Sequence, residues 1–360
     1  MKILHITNAL SSGGVTTLLL EILPFLAKEH EVSLLLLGEN TEKYLLDDKL
    51  KNIKVTFLNQ KSFYSIKNIF KIRNMIKEND ITHTHLFPTQ YIVFLATLFL
   101  SKKIITTEHN AWNNRRKYFI FKIIEKIIYK KYLKIIAVSE AAKKNLVNWI
   151  KMEKKIVVIP NGIDLEKYKD GKNIRSELWD LKENEKLICM VARFSKYKDH
   201  KTLIDSMKIL PQEIKCIFVG IGETLEEMKK YVKKNKLENR VKFLGYRNDI
   251  VNIFKSCDLS ILSSNTEGFG IVAVESMASG TMTLGSNVDG LNEILKYEDF
   301  LFEKGNEKEL AEKIKLFFNE DEKIINKKKN LIEKNVINYS LSNMLNKYKK
   351  VYIEVLNKTI

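Results

Sequence analysis

Residues 265–275 read NTEGFGIVAVE, with Glu267 and Glu275 separated by seven residues and Gly268 and Gly270 just after the first carboxylate. Paired carboxylates suit acid/base chemistry. Glycines ahead of a helical stretch suit a phosphate cradle instead. LSILSS (259–264) reads as a buried strand and GIVAVESMAS (270–279) as an amphipathic helix, so the glycines fall at a strand-to-helix turn. There they let the backbone approach a ligand closely. The amides of Phe269, Gly270, Ile271 and Val272 would point out of the helix N-terminus, where a diphosphate is stabilised. Glu267 precedes that helix and Glu275 lies more than a turn inside it, so they do not face one another as an acid/base pair. The better division gives each carboxylate the hydroxyls at one end of a ligand. A turn with two solvated glutamates is the plain alternative.

A second constellation lies in VARFSKYKDH (191–200), where Arg193 ends a strand and Lys198 stands five residues on. Two cations on one strand-end loop can neutralise a diphosphate and stabilise it as a leaving group. Alone the signal is weak, because 61 Lys and Arg against 44 Asp and Glu make basic residues abundant. It gains weight from sharing a sheet edge with the Glu-rich loop. The formal charge of +17 attracts anions such as sugar nucleotides, pyrophosphate lipids, acidic membranes or nucleic acid, and selects none of them. Coding bias toward Lys, Asn and Ile accounts for part of it.

These side chains need a scaffold. Short runs rich in Val, Ile and Leu alternate with helical patterns. Seven strands are expected in the first half: KILHIT (2–7), EVSLLLL (31–37), IKVTFL (53–58), ITHTHL (81–86), KIITTEH (103–109), KIIAVS (134–139) and KIVVIP (155–160). Helices are expected near 15–29, 65–79, 88–101, 115–133 and 140–150. Five more strands follow at 186–192, 215–220, 241–245, 259–264 and 281–286. Continuous apolar strands joined by amphipathic helices predict parallel sheets covered on both faces. The polar, aperiodic stretch NGIDLEKYKDGKN (161–173) reads as the link between two Rossmann-like, doubly wound domains, 1–165 and 166–340. The chain from 307 onward reads as helical, and 341–360 forms a C-terminal helix that is a candidate to return to the first domain. Two such domains facing each other make a cleft, with ligands at the carboxyl ends of the strands.

Composition closes several doors. At 360 residues, 45% apolar and 29% charged, the chain has ample core and no disordered-tail signature. Cys189, Cys216 and Cys257 lie far apart without a C-x-x-C, so a disulfide framework or zinc site is not expected, and buried thiols in a reducing cytoplasm fit. The N-terminus does not read as a secretory signal, and the apolar run 91–100 is about half a membrane span. Gly13 and Gly14 do not complete G-x-G-x-x-G, so the dinucleotide fingerprint fails. His83 and His85 share one strand face and could coordinate a metal, but read more simply as polar residues at the strand end. His5, His30 and His200 show no grouping. In 115–134, eight basic residues stand against one acidic. Lys122, Lys126 and Lys130 form a stripe opposite Phe121, Ile124, Ile128 and Tyr132. A helix docking that apolar face on the sheet, or a basic surface resting on anionic lipid, both fit.

R-x4-K after the first strand of a second Rossmann-like domain, with E-x7-E two-thirds along the chain, resembles the retaining glycosyltransferases of family four, which have the GT-B fold. SSGGVTTLLLEIL, TTEHN, VSE at 138–140, IPNGID at 159–164 and GLNE at 290–293 extend the resemblance over essentially the whole chain. The resemblance implies that Arg193 and Lys198 hold the donor diphosphate. Glu275 would bind the ribose hydroxyls and Glu267 the donor sugar, while the amides from Phe269 to Val272 contact sugar or phosphates. It also implies that His109 reaches across the cleft to the sugar and that Gly13 and Gly14 let a loop close over the diphosphate. Gly222 and Arg247, in GYRND, would flank the base. One departure is Ala192, which stands where a glycine is common.

The reading is a metal-independent retaining hexosyltransferase, with no D-x-D and no cofactor. It takes a nucleotide-sugar donor, UDP favoured over GDP, and extends a glycan or lipid-linked acceptor in bacterial capsule, exopolysaccharide or O-antigen assembly. It would be cytoplasmic, with a peripheral position on the inner membrane face as a candidate. Front-face attack, in which the departing phosphate oxygen helps deprotonate the acceptor hydroxyl, is the implied route. The rivals are a transferase for a small soluble acceptor, a non-catalytic sugar-nucleotide sensor, and a basic nucleic-acid-binding protein. The last lacks any reading motif and leaves E-x7-E unexplained, so nucleic acid is not an expected partner.

Overall fold

The computed structural model describes residues 1–10, 14–38, 50–58, 65–110 and 113–358. The chain forms two units, Met1–Gly162 with Leu341–Ile360, and Ile163–Ser340. In the first unit seven strands are ordered β3-β2-β1-β4-β5-β6-β7. They are β1 Lys2–Thr7, β2 Glu31–Leu36, β3 Lys54–Phe57, β4 Ile81–His85, β5 Lys103–Glu108, β6 Lys134–Ala137 and β7 Ile156–Val158. Every pairing is parallel. Burial is nearly unbroken along β1, β4 and β5, as both faces of a parallel sheet require. Helices Gly14–Ala27 and Leu341–Leu356 contribute to one core cluster, and helices Ile66–Glu78, Thr89–Ala96, Phe119–Lys131 and Glu140–Ile150 to the other. The strand order reverses between β1 and β4.

The second unit carries a six-stranded parallel sheet, ordered β10-β9-β8-β11-β12-β13. Its strands are β8 Lys186–Val191, β9 Ile214–Val219, β10 Val241–Phe243, β11 Leu259–Leu262, β12 Thr283–Ser286 and β13 Leu301–Phe302. The switch point here lies between β8 and β11. The sequence reading gave this sheet five strands. The sixth, β13, is two residues long and pairs only at Gly285 and Ser286, too short to leave a periodic signal.

Two other expectations are corrected. The stretch 161–173 contains a short helix, Leu165–Lys169, whose Tyr168 is buried. The helix expected over 115–133 begins at Phe119, after a 3-10 turn over Asn114–Lys117, and its buried side is Glu125, Ile128 and Tyr129, with the buried Tyr132 following its end. Ile124, placed on the apolar face by the sequence reading, is 37% exposed. Glu125 sets this rotation. Its carboxylate takes Arg115 at 3.0 Å, Tyr91 Oη at 2.9 Å and Trp149 Nε1 at 2.7 Å, which satisfies a charge that could not otherwise be buried.

Candidate active site

The second sheet's switch point brings the two sequence constellations together. Arg193 and Lys198 follow β8, and Glu267 follows the adjacent β11. Two backbone hydrogen bonds, which together pair Lys198 with Ser264, hold the two loops edge to edge. Asp199 N donates to Ser263 O at 3.1 Å, and Asn265 N donates to Tyr197 O at 2.9 Å. The Asp199 side chain caps helix His200–Met207 by accepting from Thr202 N at 3.2 Å, which fixes where the loop ends. Lys198 Nζ pairs directly with Glu267 Oε1, and Ser264 Oγ donates to the same oxygen at 3.0 Å. Burial pushes the Lys198 ammonium down to about 8, so at neutral pH it is still charged. Arg193 is exposed and makes no hydrogen bond or ion pair to another described residue. Its guanidinium is free for an anion.

Helix Ile271–Ala278 starts directly after this loop, so its first amides lack intrahelical acceptors. Gly270 has φ +91°, and a Cβ there would come within 2.9 Å of Leu291 Cδ1. Gly290 has φ +82°, and its Cβ would meet Gly268 at 2.8 Å. GLNE thus supports the Glu267 loop from below. Phe269 is buried edge-on against Tyr339, with centroids 5.5 Å apart, leaving its amide rather than its ring for a ligand. Glu275 is buried, and its Oε1 accepts from Tyr168 Oη at 2.8 Å. No sequence signal marked Tyr168, which lies 107 residues from Glu275 in the stretch taken for a linker.

Gly222 serves the loop path. A Cβ at Gly222 would lie 2.1 Å from Phe194 O, and one at Gly220 2.0 Å from Ala192 O. The turn after β9 therefore packs directly on the backbone that carries Arg193. Arg247 is not free: it forks onto Asp249, with Nε to Oδ1 at 2.8 Å and NH2 to Oδ2 at 2.6 Å.

In the first unit Gly13 falls outside the described residues, and Gly14 is the exposed first residue of its helix. VSE has a structural job, because Ser139 Oγ accepts from Ala142 N at 3.1 Å and caps helix Glu140–Ile150. His109 follows β5 at the carboxyl edge. The reading of His83 and His85 as cleft-side polar residues, with His5 ungrouped, is overturned. All three are fully buried at the β1/β4 switch point. His5 Nδ1 lies 3.0 Å from His85 Nε2, and His85 Nδ1 lies 3.2 Å from His109 Nε2. His83 contacts Tyr352 Oη at 2.8 Å and Thr107 Oγ1 at 2.7 Å. Burial lowers His5 to about 3, His109 to about 4, and His83 and His85 well below the usual range, so all four are neutral at pH 7. Among the described residues, His5, His83 and His85 form the grouping with metal-ligand spacing, their ligand atoms within 4.8 Å of one another. Their nitrogens are already engaged with each other, Tyr352, Thr107 and His109.

Known families and solved structures match this chain and its fold. The family described as "Glycosyl transferases group 1" matches residues 172–336, and "Glycosyltransferase Family 4" matches 12–167. The UDP-Gal:alpha-D-GlcNAc-diphosphoundecaprenol alpha-1,3-galactosyltransferase of Escherichia coli is 26% identical over 99% of this chain and 98% of its own. The crystal structure of a glycosyltransferase from Rickettsia africae superposes with a TM-score of 0.86 at 27% identity, covering 99% of each chain. Anabaena HepE in complex with UDP-glucose gives 0.87 at 22% identity, over 98% of this chain and 100% of that one.

Proposed function

This chain belongs to the family-4, group 1 glycosyltransferases, and from that premise we propose that it transfers a hexosyl group from a UDP-sugar, with retention, to a lipid-diphosphate-linked glycan. The Lys198–Glu267 pair beside the free Arg193, at a sheet switch point and under a helix N-terminus, carries the reading. Arg193, Lys198 and the amides at Gly270 to Val272 stabilise the diphosphate as the anomeric C–O bond breaks. The departing phosphate oxygen accepts the proton of the acceptor hydroxyl, whose oxygen bonds to the same face of the anomeric carbon. Glu267 and His109 hold sugar hydroxyls, Glu275 holds the ribose, and the turns carrying Gly222 and Arg247 flank the uracil. Gly13 and Gly14 are the first unit's donor-binding residues on the phosphate side in this reading. The UDP-Gal donor and diphosphoundecaprenol acceptor named for the Escherichia coli relative support the donor and acceptor classes.

Thermal stabilisation by UDP, GDP, ADP and CMP, each with chelator present, tests this. A selective rise in Tm with UDP, persisting with a UDP-sugar, is expected. No shift with any of them overturns the donor assignment.

The same reading places the enzyme peripherally on the inner, cytoplasmic face of an anionic bilayer. No helix among the described residues is long and apolar enough to cross one. Helix Phe119–Lys131 instead leaves Phe119 71%, Ile120 58% and Ile127 54% exposed, framed by Lys122, Lys126 and Lys130. Lys131 Nζ donates to Leu100 O at 2.7 Å, tying this helix to the turn that presents Phe99, which is 99% exposed. Apolar side chains ringed by lysines complement an acyl boundary under anionic headgroups. Sedimentation with phosphatidylglycerol vesicles should carry the protein down, and phosphatidylcholine vesicles should not. Phe119→Ser with Ile127→Ser should lower the bound fraction at least tenfold while UDP still raises Tm. Unchanged binding by this variant would move the contact elsewhere.

A further inference from the structure

One nitrogen in the first unit is buried without a hydrogen-bond partner at the end of a chain of partners: His109 Nδ1. Its other ring nitrogen, Nε2, begins an ordered path. His109 Nε2 meets His85 Nδ1 at 3.2 Å, and His85 Nε2 meets His5 Nδ1 at 3.0 Å. His5 Nε2 meets Tyr352 Oη at 3.5 Å, the longest link. Tyr352 Oη meets His83 Nδ1 at 2.8 Å, and His83 Nε2 meets Thr107 Oγ1 at 2.7 Å. β1 and β4 supply His5, His83 and His85, β5 supplies Thr107 with His109 just after it, and helix Leu341–Leu356 supplies the tyrosine. The register explains the clustering. His5 pairs with His83 across β1 and β4, and His85 pairs with Thr107 across β4 and β5. These contacts join sequence positions as far apart as 5 and 352.

A neutral imidazole carries one N–H and one lone pair, so each ring in such a chain must donate on one side and accept on the other. Burial keeps all four rings neutral. With the Tyr352 hydroxyl donating within the chain, two arrangements satisfy every link. In the first, His109 Nε2–H donates to His85, His85 Nε2–H to His5, and His5 Nε2–H to the Tyr352 oxygen. The Tyr352 hydroxyl then donates to His83 Nδ1, and His83 Nε2–H donates to Thr107. His109 Nδ1 is left as a bare lone pair. In the second arrangement every bond is reversed. Thr107 donates to His83 Nε2, His83 Nδ1–H to the Tyr352 oxygen, Tyr352 to His5 Nε2, His5 Nδ1–H to His85, and His85 Nδ1–H to His109 Nε2. His109 Nδ1 then carries the proton. All four histidines are Nε2–H in the first arrangement and Nδ1–H in the second.

We propose that His5, His83, His85 and His109 act as a single tautomeric relay, closed by Tyr352, that switches His109 Nδ1 between hydrogen-bond acceptor and donor without charging any ring. A mixed set among His5, His85 and His109 would leave two lone pairs or two N–H groups facing each other. A mismatch across Tyr352 would either leave one imidazole lone pair without a donor or put both N–H groups on the Tyr352 oxygen and turn its hydroxyl proton out of the chain. A buried site disfavours both. The relay lets one nitrogen match a sugar hydroxyl presented in either sense. That last step rests on the reading above that His109 meets the donor sugar; the shared tautomer does not. His5, His83, His85 and Tyr352 are positioning residues, acting through His109.

Long-range proton–nitrogen correlation spectra of protein labelled with 15N-histidine at pH 8 distinguish the two tautomers ring by ring. His30 and His200, outside the chain, serve as references, and single His→Gln variants assign the signals. The four relay histidines are expected to show one common tautomer, or common fractional populations. Tyr352→Phe should leave His5, His85 and His109 matched while His83 departs from them. Saturating UDP-sugar should move all four together. Differing tautomers among the four in the native protein overturn the relay, as does a Tyr352→Phe variant in which His83 still tracks the others. Stoichiometric binding of zinc alone, with the His5, His83 and His85 nitrogens all shifted, also overturns it by making the cluster a metal site. If the four match but UDP-sugar moves none of them, the relay stands and the sugar contact of His109 fails.

Discussion

Replacing Lys198 by alanine is expected to lower kcat by about 10²- to 10³-fold, the range found when one preorganised group facing a developing charge is removed. The structure gives Lys198 a fixed position. Its loop is stitched to the next strand's loop at Asp199, Asn265 and Ser264, and its ammonium lies against Glu267 at the switch point. Removing it also leaves the Glu267 carboxylate uncompensated where a diphosphate must sit, so the acceptor of negative charge becomes a source of it. The pH profile provides a second check. Burial holds Lys198 at about 8, so the ammonium is present below that pH and is lost as pH rises through it. For the wild-type protein, kcat/KM, which reports the free enzyme, should therefore fall above about pH 8. A bound diphosphate holds the proton, so the limb in kcat should lie higher. Lys198→Ala should remove that alkaline limb. A variant with near-normal kcat and the limb intact would assign the leaving-group role elsewhere, with Arg193 and Lys196 as the other cations of that loop.

The elements that could be read from the sequence share one property: their signal is local. An unbroken apolar run such as KLICMV needs no partner to be recognised as a buried parallel strand, and the turn glycines of NTEGFG announce a strand-to-helix junction by themselves. What escaped was decided by residues distant in sequence. The rotation of helix Phe119–Lys131 looked settled by its lysine stripe, yet it follows Glu125, whose partners Tyr91 and Trp149 come from other helices. Strand β13 has two residues and exists because β12 offers it an edge. His5 shows no grouping in sequence because its neighbours are 78 and 80 positions away on β4 and 347 away on the last helix. The same holds for Gly222, whose backbone constraint is set by Phe194 O on another strand's loop.

Glu275→Ala is expected to weaken UDP binding by roughly 10- to 100-fold, the loss of charge-assisted hydrogen bonds worth about 1.5–3 kcal/mol. Glu275 lies inside helix Ile271–Ala278, more than a turn beyond the amides at its start. One carboxylate oxygen accepts from Tyr168 Oη at 2.8 Å, which orients the group within a buried setting. A ribose presents two vicinal hydroxyls, and an oriented carboxylate accepts from both without rearrangement. The alanine variant also removes the carboxylate to which Tyr168 Oη donates, so a stability loss would confound a simple activity assay. Titration calorimetry of UDP against Glu275→Gln avoids this, since the amide keeps the volume and one acceptor while losing the charge. An intermediate weakening is expected there. Tyr168→Phe, which leaves the carboxylate in place but removes this one hydrogen bond to it, should weaken UDP by less than Glu275→Ala does. A uridine monophosphate titration should show the same ratio between wild type and variant, because the ribose contact does not involve the second phosphate. UDP affinity unchanged in both Glu275 variants would remove the ribose from this carboxylate and leave Tyr168 and Glu275 as a buried structural pair.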